Sequence, residues 1–225
     1  MQNTNIENNV ISEEEVVERQ FKVYGDGDWI NNSIKSNYDD ADIVVLPGGS
    51  DVDPSLYGHK PISSTLSNPI LDKKEMDFMK QCVADNKFIV AICKAAQMAT
   101  ALVGGYLIQD VNKHHSNHNV CTSDGEIFSV NSSHHQMAMF YHLDPKVWKL
   151  FAWSRQLSNY HIIEGNNQLK FDIDWLDEEA RFMEPEIFYF PDVKILGIQG
   201  HPEWSSFGER ANEYVNKLIL DLYEE

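Results

Sequence analysis

Basic residues are scarce. Lys and Arg total 18 against 35 Asp and Glu in 225 residues, a formal net charge of −17 at pH 7 with His neutral. Such a field repels phosphate backbones and anionic lipid surfaces, so neither direct nucleic-acid binding nor a membrane surface is expected. Cysteine is scarce as well. Cys82, Cys93 and Cys121 are too few and too scattered for a disulfide framework or a four-cysteine zinc site. No apolar run approaches the roughly 18–20 residues that a membrane span needs. Met1–Val10, mostly Asn, Gln and Thr, lacks the basic-then-apolar layout of a signal peptide. Internal repeats, low-complexity tracts and long linkers are also missing. The expectation is a soluble protein of a reducing, cytoplasmic compartment.

What is present suits one globular domain. Hydrophobic residues make up 42% and charged residues 24%, enough apolar side chain for a packed core. Ser12-Glu13-Glu14-Glu15 reads as a capping box opening a short helix to about Arg19. Phe21–Tyr24 reads as a strand, ended by the turn Gly25-Asp26-Gly27-Asp28. The first strand of the sheet has to come from there or from Val10-Ile11. Asp42–Leu46, Phe88–Ile92 and Ile195–Ile198 are short, nearly continuous apolar runs, the pattern of strands buried on both faces. Helical spacing runs from Leu71 to about Asn86, helix formers from Cys93 to Val103, and an amphipathic pattern from Phe207 to Tyr223. Buried strands alternating with helices predict an α/β fold with a mainly parallel sheet. Residues 154–182 break the rhythm and read as an insertion or cap.

Ligands of open α/β sheets bind at the carboxyl ends of the strands. Three such ends carry unusual residues: Pro47-Gly48-Gly49-Ser50-Asp51, Cys93-Lys94, and Gln199-Gly200-His201-Pro202-Glu203. If the strands are parallel, these ends meet on one rim. Cys93 follows a hydrophobic strand and opens a helix, the layout of a nucleophile elbow. The helix N-terminus there favours a thiolate. Taken alone, Cys93 fits a buried structural cysteine equally well. His201 and Glu203 stand two apart, on one side of an extended chain. The carboxylate is placed to orient an imidazole that acts as base to the cysteine and then as acid to a leaving amine. In isolation the same residues read as a His-Pro turn with a solvated Glu. Glycine lets the backbone approach a substrate closely. The N–H groups of Gly49 and Lys94 are therefore the candidate donors to an oxyanion, although Gly48-Gly49 alone is equally an ordinary turn.

These residues resemble the class I glutamine amidotransferases, and more closely their gamma-glutamyl hydrolase-like branch, a cysteine-peptidase type. The resemblance runs from about Asp42 to Trp204. It rests on Leu46–Gly58 (LPGGSDVDPSLYG), Ile92–Gln97 (ICKAAQ), Gly104–Asp110 (GGYLIQD), Val130–Gln136 (VNSSHHQ) and Gly197–Trp204 (GIQGHPEW), in the family's order. The Asp-Val-Asp-Pro and Asn-Ser-x-His-His-Gln blocks point to the hydrolase-like branch.

The resemblance implies a flavodoxin-like three-layer α/β sandwich spanning 1–225 as a single domain, with a mainly parallel central sheet and a nucleophile elbow. It implies cleavage of a gamma-glutamyl amide, from glutamine or a gamma-glutamyl amine conjugate, through a gamma-glutamyl thioester on Cys93. His201 and Glu203 complete the catalytic triad. Gln97 matches a position near the bound glutamyl group, and Ser133 and His134 match the segment that holds its amino-acid end. The partner is a small-molecule gamma-glutamyl substrate, and no metal or organic cofactor is expected. Two departures stand out. The usual Gly-x-Cys-x-Gly elbow reads Ala91-Ile92-Cys93-Lys94-Ala95, and Lys94 replaces a frequent Arg, keeping the charge but not the fork.

Two alternatives remain. One is a glutaminase subunit passing ammonia to a synthetase in trans, since the chain has no phosphate-cradling ATP loop of its own. The other is a catalytically silent binding module. His114, His115 and His118 crowd one stretch, but loop histidines outside a regular ligand pattern read as solvated. Cys82 reads as mid-helix and Cys121 as part of a turn-like segment. Glu184 and Glu186, before an expected strand, sit either at the pocket, favouring a cationic leaving amine, or on a solvated rim.

Overall fold

The computed structural model describes residues 19–154, 158–164 and 183–225. The capping box at Ser12 and most of the 154–182 insertion therefore lie outside the described residues. In chain order come β1 (Phe21–Tyr24), β2 (Ser33–Lys35), β3 (Ile43–Leu46), α1 (Pro69–Ala84), β4 (Phe88–Ile92) and α2 (Lys94–Leu102). They are followed by β5 (Tyr106–Ile108), β6 (Asp110–Val111), β7 (His118–Thr122), β8 (Ile127–Val130) and β9 (Met137–Met139). The rest are β10 (Lys149–Ser154), β11 (His161–Ile162), β12 (Glu184–Phe190), β13 (Ile195–Ile198) and α3 (Glu209–Glu224).

The central sheet runs β2-β1-β3-β4-β13-β12-β10-β7-β8. β2, β1, β3, β4 and β13 are parallel, the expected core of an α/β sheet. From β12 onward every pairing is antiparallel. Among the described residues the first strand is Phe21–Tyr24, with β2 outside it in the sheet order; Val10-Ile11 lies outside the described residues.

Local chemistry explains the three layers. β4 is buried at all five positions, and its side chains alternate between two cores. Ile89 and Ala91 face the core that includes Met76 and Met79 of α1 and Ala96 and Ala99 of α2. Val90 and Ile92 face the core that includes Val215, Leu218, Ile219 and Leu222 of α3. Those α3 residues recur at helical spacing and give the helix one apolar face. α1 starts where Asn68 accepts a bond from the Leu71 N–H (3.2 Å) and Pro69 takes the first helical position.

The register aligns the strand ends. Leu46 pairs with Ala91, and Ile92 with Ile198. Pro47, Cys93 and Gln199 therefore leave the sheet on the same rim. Among the described residues no helix is long and apolar enough to cross a membrane.

Candidate active site

Cys93 stands between β4 and α2 with φ 48° and ψ −105°. Left-handed φ in a non-glycine residue is held only where its surroundings fix it. Here the Cys93 N–H donates to the Ile198 carbonyl (2.7 Å), and its own carbonyl accepts the first helical bond from Gln97 (3.1 Å). The elbow survives its two alanines. Ala91 is 0% and Ala95 4% exposed, both taken up in the packing between sheet and α2.

Gly48 explains how the strand ends meet. A methyl group on its Cα would lie 2.8 Å from Cε1 of His201 and 3.2 Å from Cβ of Cys93. The imidazole and the thiol-bearing carbon thus flank one point, which a side chain at position 48 would fill. His201 Nδ1 stands 2.8 Å from Oε1 of Glu203. A carboxylate only accepts, so Nδ1 carries the proton and Nε2 is left as the basic nitrogen. Trp204 stacks flat on the imidazole, with centroids 3.9 Å apart and planes 6° apart.

Cys93 is almost wholly buried, and burial pushes its thiol up to about 12. The Lys94 backbone N–H opposes this, while the charges of Glu203, Glu186 and Asp51 add to it. The Gln199 amide nitrogen lies 3.9 Å from the sulfur.

Gly49 and Lys94, the candidate oxyanion residues, lie close together: Lys94 follows Cys93, and a methyl group on Gly49 would meet the Lys94 side-chain stem at 2.9 Å. The Lys94 side chain is buried, and its ammonium bonds Asp72 (2.6 Å) and Glu75 (2.8 Å) of α1. Burial would lower its pKa, but these carboxylates outweigh that and hold it above the ordinary range. Gln97 is buried and donates to the Gln136 carbonyl (2.8 Å). Gln136 in turn accepts from the Val52 N–H (2.8 Å), tying the glycine loop to the 131–136 segment. Ser133 is exposed on that segment, while His134 is buried with Nδ1 2.9 Å from the Gln136 carbonyl.

A family model described as Peptidase C26 matches residues 29–155, more than half of the chain. The chain belongs to the Peptidase C26 family. This C26 protein is 31% identical over 196 residues to the glutamine amidotransferase-like protein YvdE of Lactococcus lactis subsp. lactis, covering 85% of this chain and 76% of that one. It is 28% identical over 176 residues to protein NtpR of Enterococcus hirae, covering 73% and 68%. The fold resembles that of a solved GMP synthase protein from Thermoplasma acidophilum, with TM-score 0.52 and 15% identity over 86% and 85% of the two chains. The family is therefore class I glutamine amidotransferase-like, and membership supports a cysteine-type amidotransferase or hydrolase activity.

Several expectations need correction in this C26 chain. His114 and His118 are not solvated loop residues; they are 1% and 6% exposed. Of the two positions open to Glu184 and Glu186, the solvated rim is excluded: they lie within β12 rather than before it, 4% and 1% exposed. The two corrections share one cause, because the carboxylates of β12 meet the histidines in the interior. His114 Nε2 lies 2.9 Å from Glu184, and His118 Nε2 lies 2.9 Å from Glu186. Burial works against ionisation of Glu184, yet its bonds with His114, His161 and Ser158 hold it down at about 2. His115 does not join them; its ring stacks near that of His135. Cys121 lies in β7 rather than a turn.

Three residues that position the site escape a reading of the sequence. Asn131 and Trp204 stand out there only as members of motifs, although an aromatic directly after Glu203 is a usable signal. Asp72 carries no signal, because its partner Lys94 lies 22 residues away.

Proposed function

We propose that this protein is a gamma-glutamyl amide hydrolase working through a Cys93 thioester. The observation that carries the reading is the wedge at Gly48, with Cys93 and a Glu203-oriented His201 on either side of it. As the Cys93 sulfur attacks the side-chain amide carbon, its proton passes to His201 Nε2. Glu203 stabilises the imidazolium through Nδ1. The oxyanion draws on the N–H groups of Gly49 and Lys94. The C–N bond then breaks, His201 returns the proton to the leaving amine, and a gamma-glutamyl thioester remains. Water attacks it, giving its proton to His201; glutamate leaves and the thiol re-forms. Gln97 and the Ser133–His134 segment are assigned to the glutamyl end of the substrate.

The test is glutamate release from glutamine and from a panel of gamma-glutamyl amines, with Cys93→Ala as control. The expected result is turnover of a conjugate by the protein alone, with a glutamyl adduct on Cys93 seen by mass spectrometry. Glutamine turnover that appears only with a second protein would replace this reading by that of an ammonia-donating subunit. No turnover, and no labelling of Cys93 by a glutamine-like electrophile, would leave a binding module.

A further inference from the structure

The histidines and carboxylates beside β12 form more than a set of ion pairs. One donor atom from each of His114, His134 and Glu186 lies within 4.8 Å of the other two. All three residues are buried, at 1%, 4% and 1% exposure. Each is held through one side-chain atom and leaves another without a hydrogen-bond partner among the described residues: Nδ1 of His114, Nε2 of His134 and Oε2 of Glu186.

The held atoms decide what the free ones are. Nδ1 of His134 faces the Gln136 carbonyl (2.9 Å), which can only accept. Nδ1 therefore carries the proton, and Nε2 of the neutral ring is a lone pair. His114 Nε2 faces the Glu184 carboxylate (2.9 Å) and donates to it. Burial opposes a second proton on this ring, but the Glu184 and Glu186 carboxylates favour the protonated form, and loss of that second proton leaves Nδ1 as the second lone pair. Glu186 Oε1 accepts the hydrogen bond of His118 Nε2–H (2.9 Å), leaving Oε2 of the carboxylate as a free anionic acceptor.

With His114 neutral, three buried side chains converge, each with an unpartnered acceptor atom and no donor among those three atoms. Burying an unpaired polar group is costly, and three together more so. A water molecule offers only two protons. Protonating His114 at Nδ1 gives one donor, but its 3.2 Å approach to Glu186 is to Oε1, and Nε2 of His134 stays unsatisfied.

A cation satisfies all three. We propose that His114, His134 and Glu186 bind one divalent transition-metal ion of the zinc class. Two imidazole nitrogens and a carboxylate oxygen suit that class rather than magnesium or calcium, which take oxygen ligands. The surrounding bonds match the way metal-binding histidines are oriented, with the far ring nitrogen on a carboxylate (His114 to Glu184) or a backbone carbonyl (His134 to Gln136). Bonds of about 2.0–2.2 Å draw the ligands inward by on the order of 1 Å on binding.

The burial makes the ion structural. It joins the chain before β7, the 131–136 segment and β12. β12 reaches the nucleophile's surroundings through the bond from the Gln199 N–H to the Glu186 carbonyl (2.8 Å).

The test strips the full-length protein with a chelator, then titrates it with Zn2+ and separately with Co2+. Bound metal is read by elemental analysis, cobalt geometry by its visible ligand-field bands, and stability by thermal melting. The expected result is one equivalent per chain, four-coordinate cobalt bands and a higher Tm with zinc. His134→Gln abolishes uptake. Glu184→Gln, which keeps all three ligands but frees His114 Nε2, weakens affinity by about 10–100-fold. Cys93→Ser binds metal as the wild type does, which separates this site from the thiol. Folded wild-type protein that takes up no ion overturns the proposal, whatever the variants do. Uptake that survives His134→Gln, or is lost in Cys93→Ser, overturns it as well.

Discussion

Asn131 holds the main chain of His201 from both sides. Its Nδ2 donates to the His201 carbonyl (2.9 Å), and its Oδ1 accepts the His201 N–H (2.7 Å). The two residues are 70 apart in sequence, and Asn131 is 2% exposed. The adjoining Gly200 has no room for a side chain, since a methyl group there would lie 2.9 Å from the Asn131 carbonyl and from the Phe207 ring. The imidazole is thus aimed from below by an amide, from the side by Glu203 and across its face by Trp204.

Replacing Asn131 with Ala orphans the buried His201 N–H, leaves the His201 carbonyl with only the Trp204 N–H (3.1 Å) of its two donors, and lets His201 drift. A misplacement of about 1 Å at a reacting group costs roughly 100-fold in rate. The expected outcome is a fall of that size in kcat for glutamate release, with a destabilisation of about 1–3 kcal/mol. Steady-state kinetics and urea unfolding measure both. Unchanged kcat in a folded Asn131→Ala protein would show that the backbone of His201 does not need this clamp.

Glu203 and Cys93 have different weights in the proposed reaction. Without the sulfur no thioester forms, so Cys93→Ala should have no detectable turnover. Glu203→Gln keeps the nucleophile and a side chain of the same shape but loses the anion facing Nδ1. An orienting carboxylate of this kind is worth on the order of 10⁴ in kcat, less than the nucleophile it serves. Residual activity in Glu203→Gln, well above that of Cys93→Ala, is the expected ranking. Equal and complete loss in a folded Glu203→Gln protein would contradict it.

The parts of the fold that were legible in the sequence share one property: their pattern is local. Asp42–Leu46, Phe88–Ile92 and Ile195–Ile198 are continuous apolar runs, and the three strands they predicted are β3, β4 and β13. The turns that follow them carry Gly48, Cys93 and His201, so the rim could be read without coordinates. β7 could not. Its buried positions are His118, Val120 and Thr122, and two of those three are polar. His118 is accommodated only because Glu186, 68 residues later, supplies its partner. Glu186 in turn reads as either a pocket or a rim carboxylate until its neighbours are known. Lys94 directly follows Cys93 in the chain, but the direction of its side chain is set by Asp72, an acidic residue on an otherwise ordinary surface helix. Buried polar pairs escape pattern reading because each member looks exposed until the other is found.

Lys94 yields a stability prediction that does not depend on catalysis. Asp72 is 0% exposed, and its two oxygens serve the Lys94 ammonium (2.6 Å) and the Asp53 N–H (2.8 Å). Lys94→Met leaves that carboxylate buried without its cation, a change that typically costs about 3–5 kcal/mol. Urea unfolding of the single variant should show a loss in that range. Adding Asp72→Leu removes the stranded charge and should recover part of it, in proportion to how well the apolar pair packs. A single-variant loss below about 1 kcal/mol, the range of an exposed pair, would mean that water reaches the Asp72 carboxylate.

The ionisation of Cys93 separates two ways of starting the reaction. Many catalytic cysteines rest as thiolates paired with imidazolium. Here burial dominates and Glu203, Glu186 and Asp51 add negative charge nearby, so the protonated form is favoured and the thiol is pushed up to about 12. The thiolate fraction is then small at neutral pH and grows about tenfold per pH unit below that value. Alkylation of the substrate-free protein by iodoacetamide should accordingly be slow near pH 7 and climb through the alkaline range, with no plateau between pH 6 and 9. His201 would then remove the proton only as the sulfur attacks, as a general base. An alkylation rate already level at pH 6 would show a resting thiolate–imidazolium pair and would make His201 the holder of a preformed charge.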